Sequence, residues 1–166
     1  EGWQLETGGA TGITSGWTGN DNAPPEDAAR IGTGCLWVAR AGPNLVDGNV
    51  RWRYDLRATD IGVPPQAIVT RMRATCWARC AVYSPGSPGV VTATPYVYQP
   101  GVGLIYATGE FRTYESTTPW MQHLDQWRSV TLLPDQQVSI YVDALPRTGG
   151  APDAQVELRV DAIEIS

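Results

Sequence analysis

Val50-Arg51-Trp52-Arg53-Tyr54-Asp55-Leu56 alternates apolar and polar residues without a break. Successive side chains of a β-strand point to opposite faces. Val50, Trp52, Tyr54 and Leu56 therefore share one face, and Arg51, Arg53, Asp55 and the following Arg57 share the other. The same period of two runs through most of the chain. Residues 67–83 read as one long strand, with Ile68, Thr70, Met72, Ala74, Cys76, Ala78, Cys80 and Val82 on the core face. Its other face carries Arg71, Arg73, Thr75, Trp77, Arg79 and Tyr83. In 137–144, Val138, Ile140, Val142 and Ala144 point inward. The last strand, 155–165, starts with Val156, Leu158 and Val160 inward and then changes phase to Ile163 and Ile165, which predicts a β-bulge near Asp161.

Four further strands are expected over 31–39, 90–98, 104–112 and 127–133. Gly- and Pro-rich turns separate them, among them Gly42-Pro43-Asn44, Ser84-Pro85-Gly86-Ser87-Pro88-Gly89 and Thr148-Gly149-Gly150. About eight short strands with a turn between each predict an all-β sandwich of antiparallel strands with negligible helix. The one helix candidate is a single turn at 25–29. No internal repeat or linker interrupts the chain, so residues 1–166 read as one domain with one core. It opens on Glu1 rather than Met, as a mature or excised form does.

Composition narrows the function. All 12 basic residues are Arg, the usage of a GC-rich genome, and the net charge of −5 argues against binding nucleic acid through its phosphates. No run of eighteen apolar residues occurs, so no membrane insertion is expected. Three cysteines, Cys35, Cys76 and Cys80, read as small buried hydrophobes. Cys76 and Cys80 stand four apart on one strand face, about 13 Å, beyond the ~7 Å reach of a disulfide. Cys35 could reach either from a neighbouring strand.

Catalysis finds little to work with. His123 is the one histidine, and no Gly-x-Ser-x-Gly elbow, phosphate loop or zinc motif is present. A pair such as Glu110 with Glu115 offers the two carboxylates of a glycoside hydrolase, but solvation in turns and on polar faces explains these acids equally well. No enzyme is expected.

The chain ends carry a resemblance. Leu5-Glu6-Thr7-Gly8 with Ser15-Gly16-Trp17, the stretch Ala28-Ala29-Arg30-Ile31-Gly32-Thr33-Gly34-Cys35-Leu36-Trp37-Val38, and Val160-Asp161-Ala162-Ile163-Glu164-Ile165 resemble the opening, second-strand and closing segments of jelly-roll carbohydrate-binding modules. They are also similar to modules in minor tail and other virion proteins of phages that infect high-GC bacteria. The resemblance covers residues 1–40 and 155–166; the middle matches in rhythm alone. It implies a jelly-roll β-sandwich and a non-catalytic, extracellular role. That role is a structural or host-surface and glycan-binding module of a phage virion, tail-associated or a head decoration, and often a homotrimer. The alternative is the sugar-targeting module of a secreted polysaccharide-degrading enzyme. It also implies a structural Ca²⁺ between Glu6 and Asp161, if the first and last strands lie side by side. Here Ala162 replaces the second Asp of the usual Val-Asp-Asp-Val, which removes one ligand. The other reading is that Asp161 caps the bulge and Glu6 is solvated.

The expected binding surface follows from the strand faces. Trp77, flanked by Arg71, Arg73 and Arg79, is placed outward on a long central strand, with Tyr83, Tyr96, Tyr98 and Tyr141 sharing or bordering that surface. Aromatic rings stack on sugar faces and Arg supplies donors to hydroxyls and carboxylates, so either a glycan or a neighbouring subunit is expected to cover it. Packing of these rings under loops is the competing expectation.

Overall fold

The computed structural model describes residues 2–19, 34–41, 50–85, 89–99, 103–105, 112–124, 127–133, 136–146 and 155–166. The helix expected at 25–29 and several predicted turns, 42–44, 86–88, 134–135 and 148–150 among them, lie outside the described residues. The strands in chain order are β1 (Gln4–Glu6), β2 (Ile13–Gly19), β3 (Gly34–Arg40), β4 (Arg51–Arg57), β5 (Val69–Met72), β6 (Ala74–Tyr83), β7 (Gly89–Gln99), β8 (Gly103–Ile105), β9 (Arg112–Tyr114), β10 (Met121–Leu124), β11 (Arg128–Leu132), β12 (Gln137–Pro146) and β13 (Val156–Ile165). Among the described residues the helical content is one 3₁₀ turn, Ala58–Ile61.

The first sheet runs β1-β4-β12-β7-β8, with β9 also on β7; the second runs β10-β6-β13-β3-β2. All pairings are antiparallel. Along the chain, β3, β6, β10 and β13 go to the second sheet and β4, β7, β9 and β12 to the first. That crossing between sheets is the eight-strand jelly roll of two interlocked Greek keys. The remaining strands are additions to this nucleus. β1 and β2 extend the two sheets along the same edge, and β5 pairs with β11 in a separate two-stranded ribbon. The eight expected strands do not coincide with this nucleus: 127–133 is β11 of the ribbon, 104–112 covers β8 and reaches β9 only at Arg112, and the sequence reading missed β1, β2 and the nucleus strand β10.

The core lies between the sheets, where the alternation places it. Val142 and Ala144 of β12 cluster with Cys76, Ala78 and Cys80 of β6 and Leu158 and Val160 of β13, all buried. A second cluster gathers Leu56, Met72, Val97, Leu132, Val138 and Ile140 beneath the β5–β11 ribbon. Gly89 of β7 faces Leu158 so closely that a Cβ there would stand 2.6 Å from a Leu158 methyl, so the site has no room for a side chain.

Three sequence expectations change. The strand over 67–83 breaks at Arg73, whose backbone bonds Ser166, and β5 leaves the second sheet for its own ribbon. The phase survives the break, since Met72 and Ala74 are both buried. A register shift opposite Glu157 and Leu158 then turns the end of β6 over. Val82 becomes exposed and Tyr83 packs against the core, the reverse of the expected faces. Ile68, expected inward, is 56% exposed. The bulge near Asp161 is present: the β13 register shifts between Asp161 and Glu164, and Ala162 takes φ +48°.

Candidate functional site

The residues expected to form one surface fall into three places. Tyr96 and Tyr141 belong to the first sheet, while Trp77 and Arg79 belong to the second. Tyr141 lies opposite Arg53 and Ser139 opposite Tyr96, which puts Tyr96, Tyr141, Arg51, Arg53 and Asp55 together on that sheet's outer face. Both rings are buried there and meet edge to face, 4.2 Å between centroids at 71°. The guanidiniums of Arg51 and Arg53 stand 5.1 and 5.8 Å from the Tyr141 ring centre. Arg51 pairs with Asp143 at 3.2 Å, Arg53 with Asp55 at 2.8 Å, and Ser139 Oγ donates to Asp55 at 2.6 Å. Burial pushes the Asp55 carboxyl up, but the hydrogen bonds from Arg53 and Ser139 outweigh it and hold the group below its ordinary value. These tyrosines are packed into the arginine–carboxylate network of that face and offer no open platform. Tyr98 enters β7, opposite Leu104, and its side chain lies outside the described residues.

On the second sheet Trp77 is half-buried opposite Asp161 and Gln122, and Arg79 is buried opposite Arg159. Arg71 and Arg73 stand apart from Trp77. Their aromatic neighbour is Trp127, at 5.3 and 5.0 Å. Glu6 and Asp161 are not brought together either, because β1 and β13 belong to different sheets. Glu6 accepts from Arg53 at 3.4 Å, and Asp161 Oδ1 accepts from the Ala162 N–H at 2.7 Å, so Asp161 caps its own bulge.

The geometry of a binding site appears instead at the edge where β1 and β2 face each other. Trp17 of β2 pairs opposite Leu36, Trp52 of β4 opposite Leu5, and both turn toward the space between the sheets. With Trp3, Gly2 and Leu36 they line a cleft of about 550 Å³. A second hollow of about 260 Å³ shares Trp3, Trp17 and Leu36 and runs on to Val160, Asp161, Ala162 and Ile163, over the β13 bulge. Trp17 is 62% exposed, while Trp52 is 8% exposed. Trp3 tilts against Tyr54 at 5.3 Å, and Gly2, at φ +98°, lies where a Cβ would come within 2.7 Å of the Tyr54 ring. Only glycine serves there.

Indole faces suit the apolar faces of sugar rings, and the cleft lies in the size range of small-ligand pockets. Trp52, which lines the cleft, has its Nε1 buried without an acceptor among the described residues. Asp161 is the one acid among the described lining residues. Hydrolysis of a glycoside takes two carboxylates flanking the bond. The sequence reading missed this site, although the seven tryptophans and the Gly16-Trp17 step were visible in it. Trp52 was correctly placed inward, but nothing local shows that three inward tryptophans meet.

His123 is buried and hydrogen-bonded. Its Nε2 lies 2.8 Å from the Tyr114 hydroxyl, and burial lowers its pKa to about 4, with Arg112 adding to the shift. Cys76 lies opposite His123 on the next strand, but burial raises its thiol to about 12. A neutral thiol of this kind is no nucleophile. All three cysteines are free and buried. Glu115 is exposed, and Glu110 lies outside the described residues.

No family model matches the chain, and no curated protein matches it. Solved structures do. One is from work on the promiscuous specificity of carbohydrate-binding modules of the β-sandwich superfamily, with 13% identity and a TM-score of 0.47 over 99% of this chain and 57% of that one. A second is an arabinose-bound α-L-arabinofuranosidase (MgGH51), with 14% identity and a TM-score of 0.52 over 96% of this chain and 23% of that one. A third is a family 16 carbohydrate-binding module, with 11% identity and a TM-score of 0.40 over 98% and 89%. The chain thus spans little more than half of the first of these and about a quarter of the second. The likeness is one of fold, carried by the TM-score of 0.52.

Proposed function

We propose that this domain is a non-catalytic glycan-binding module and that its site is the cleft between Trp3, Trp17 and Trp52. The observation that carries the reading is the meeting of three indoles around a space of about 550 Å³, one of them 62% exposed. A sugar ring stacked on Trp17 and Trp3 would offer a hydroxyl as acceptor to Trp52 Nε1. The module would work outside the cell, either on a secreted polysaccharide-degrading enzyme or in a virion. A glycan array followed by calorimetry on the strongest ligand tests it, and a flat array would overturn it.

The virion setting remains a second reading because β2 is an edge strand carrying an exposed Trp17. An edge strand invites pairing with another chain. A neighbouring subunit, as in a trimer, would then cover the cleft. Light scattering after size exclusion separates the two. A monomer that binds glycan supports the sugar cleft, and a trimer in which Trp17 is protected from oxidation supports the subunit.

A further inference from the structure

The β5–β11 ribbon carries a feature that the cleft does not use. Arg71 and Arg73 both approach the Trp127 ring, at 5.3 and 5.0 Å from its centre. Trp127 is 45% exposed, Arg71 is exposed and Arg73 half-buried. Cation–π attraction, modest at an exposed site, draws both guanidiniums to one indole.

Neither guanidinium meets a counter-charge among the described residues. Arg51, Arg53 and Arg159 each hold a carboxylate, on Asp143, on Asp55 and Glu6, and on Glu157. Arg73 Nε is also buried with no hydrogen-bond acceptor. Glu164, opposite Thr75 on the adjoining strand, is exposed and pairs with neither. Two cations held against one ring lie within roughly 10 Å of each other, about one Debye length at physiological salt, so their repulsion is only partly screened. An anion placed between them would relieve that repulsion and fill the empty hydrogen-bonding positions. A guanidinium presents a planar fork of donors that matches a carboxylate. On a chain of net charge −5, this is a local cationic site on an acidic protein. Exposed Ile68 and Leu133 lie just beyond the other end of the same ribbon.

We propose that Arg71, Arg73 and Trp127 form a second ligand site, separate from the tryptophan cleft, which takes the carboxylate of a uronic-acid sugar. The charge chemistry stands on these residues; that the anion is borne by a sugar rests on the glycan-binding reading of the module.

The test uses the full chain and oligogalacturonate, with its methyl ester as the uncharged control. The acid is expected to bind at least about tenfold tighter than the ester, with affinity that falls as salt is raised. Arg71→Gln and Trp127→Ala are both expected to weaken it about tenfold or more while the melting temperature holds, because both side chains are exposed. Arg73→Gln serves as a third variant wherever its melt shows it folded. Trp17→Ala is expected to leave oligogalacturonate binding unchanged. No binding of the acid at low salt, equal binding of acid and ester, or wild-type affinity in Arg71→Gln would each overturn the proposal. Loss in Trp17→Ala would move the acid into the cleft, overturning this site and sparing the first. Binding of the acid through Arg71, with no neutral glycan bound by the cleft, would do the opposite.

Discussion

Trp17→Ala is the substitution on which the cleft stands. Trp17 is 62% exposed on an edge strand, so truncating it removes little packing and the fold is expected to stay within about 1 kcal/mol of wild type. A sugar laid on its indole would cover on the order of 100 Å² of apolar surface, part of the 150–250 Å² that a tryptophan can bury. At roughly 25 cal/mol per Å² that is about 2.5 kcal/mol, the size expected of a central aromatic anchor. The dissociation constant should therefore rise roughly 60-fold. Calorimetry with the best array ligand measures this, and thermal melts show that the variant is folded. Trp52→Phe is the companion: it removes the indole N–H that lacks an acceptor, and because it also shrinks a buried bicyclic side chain to one ring it should lower both affinity and the melting temperature, so its affinity is read against its melt. A Trp17→Ala affinity within threefold of wild type, in a protein with an unchanged melt, would refute the assignment of the cleft.

Other expectations follow from the core. Gly89→Ala forces a methyl toward Leu158, which is fully buried, and overpacking of this kind costs about 1–3 kcal/mol, read as a melting temperature lower by several degrees. His123 has its pKa lowered to about 4 in the folded chain, against about 6.5 when unfolded. The unfolded state therefore takes up the proton first as pH falls, and stability that is complete above pH ~6.5 declines down to about pH 4. Denaturant melts at pH 7 and 4.5 should differ by about 2 kcal/mol from this group, and His123→Gln should flatten that difference. The three buried thiols, with Cys76 raised to about 12 and Cys35 and Cys80 to about 11, should resist thiol reagents at neutral pH until the protein is unfolded. For calcium, melts in EDTA and in millimolar Ca²⁺ test for a structural ion. Because Glu6 and Asp161 belong to different sheets, any stabilisation found should survive Glu6→Gln.

The alternation of 50–56 and 137–144 reported the core face correctly because a strand's period is two whatever it pairs with. For the same reason it could not report the break at Arg73. Met72 and Ala74 stay in phase while the chain passes from the ribbon into the second sheet, so pattern alone sees one strand. The reversal of Val82 and Tyr83 comes from a bulge whose cause lies in the pairing with β13, outside the segment itself. Tyr96 and Tyr141 show a different limit. Their outward phase is legible, but outward is not the same as exposed, and the arginine–carboxylate network beside them joins three separate strands, β1, β4 and β12.

The two edges of the sandwich explain why the site sits where it does. At one edge, β9 and β10 bring Tyr114 and His123 together between the sheets, and the 2.8 Å hydrogen bond between the Tyr114 hydroxyl and His123 Nε2 ties the two layers there. At the other edge, β1 has only three residues and stands opposite the end strand of the second sheet. Among the described residues no further strand continues either sheet there, and the inward side chains of β2 and β4 line a cleft. Large aromatic residues at such an edge would ordinarily be an aggregation liability. Here they surround a buried donor with no acceptor among the described residues, and such a group is costly to hold in an apolar wall. A ligand with both an apolar face and a hydroxyl answers both features at once, which is the physical ground for reading this edge, rather than either sheet face, as the place of recognition.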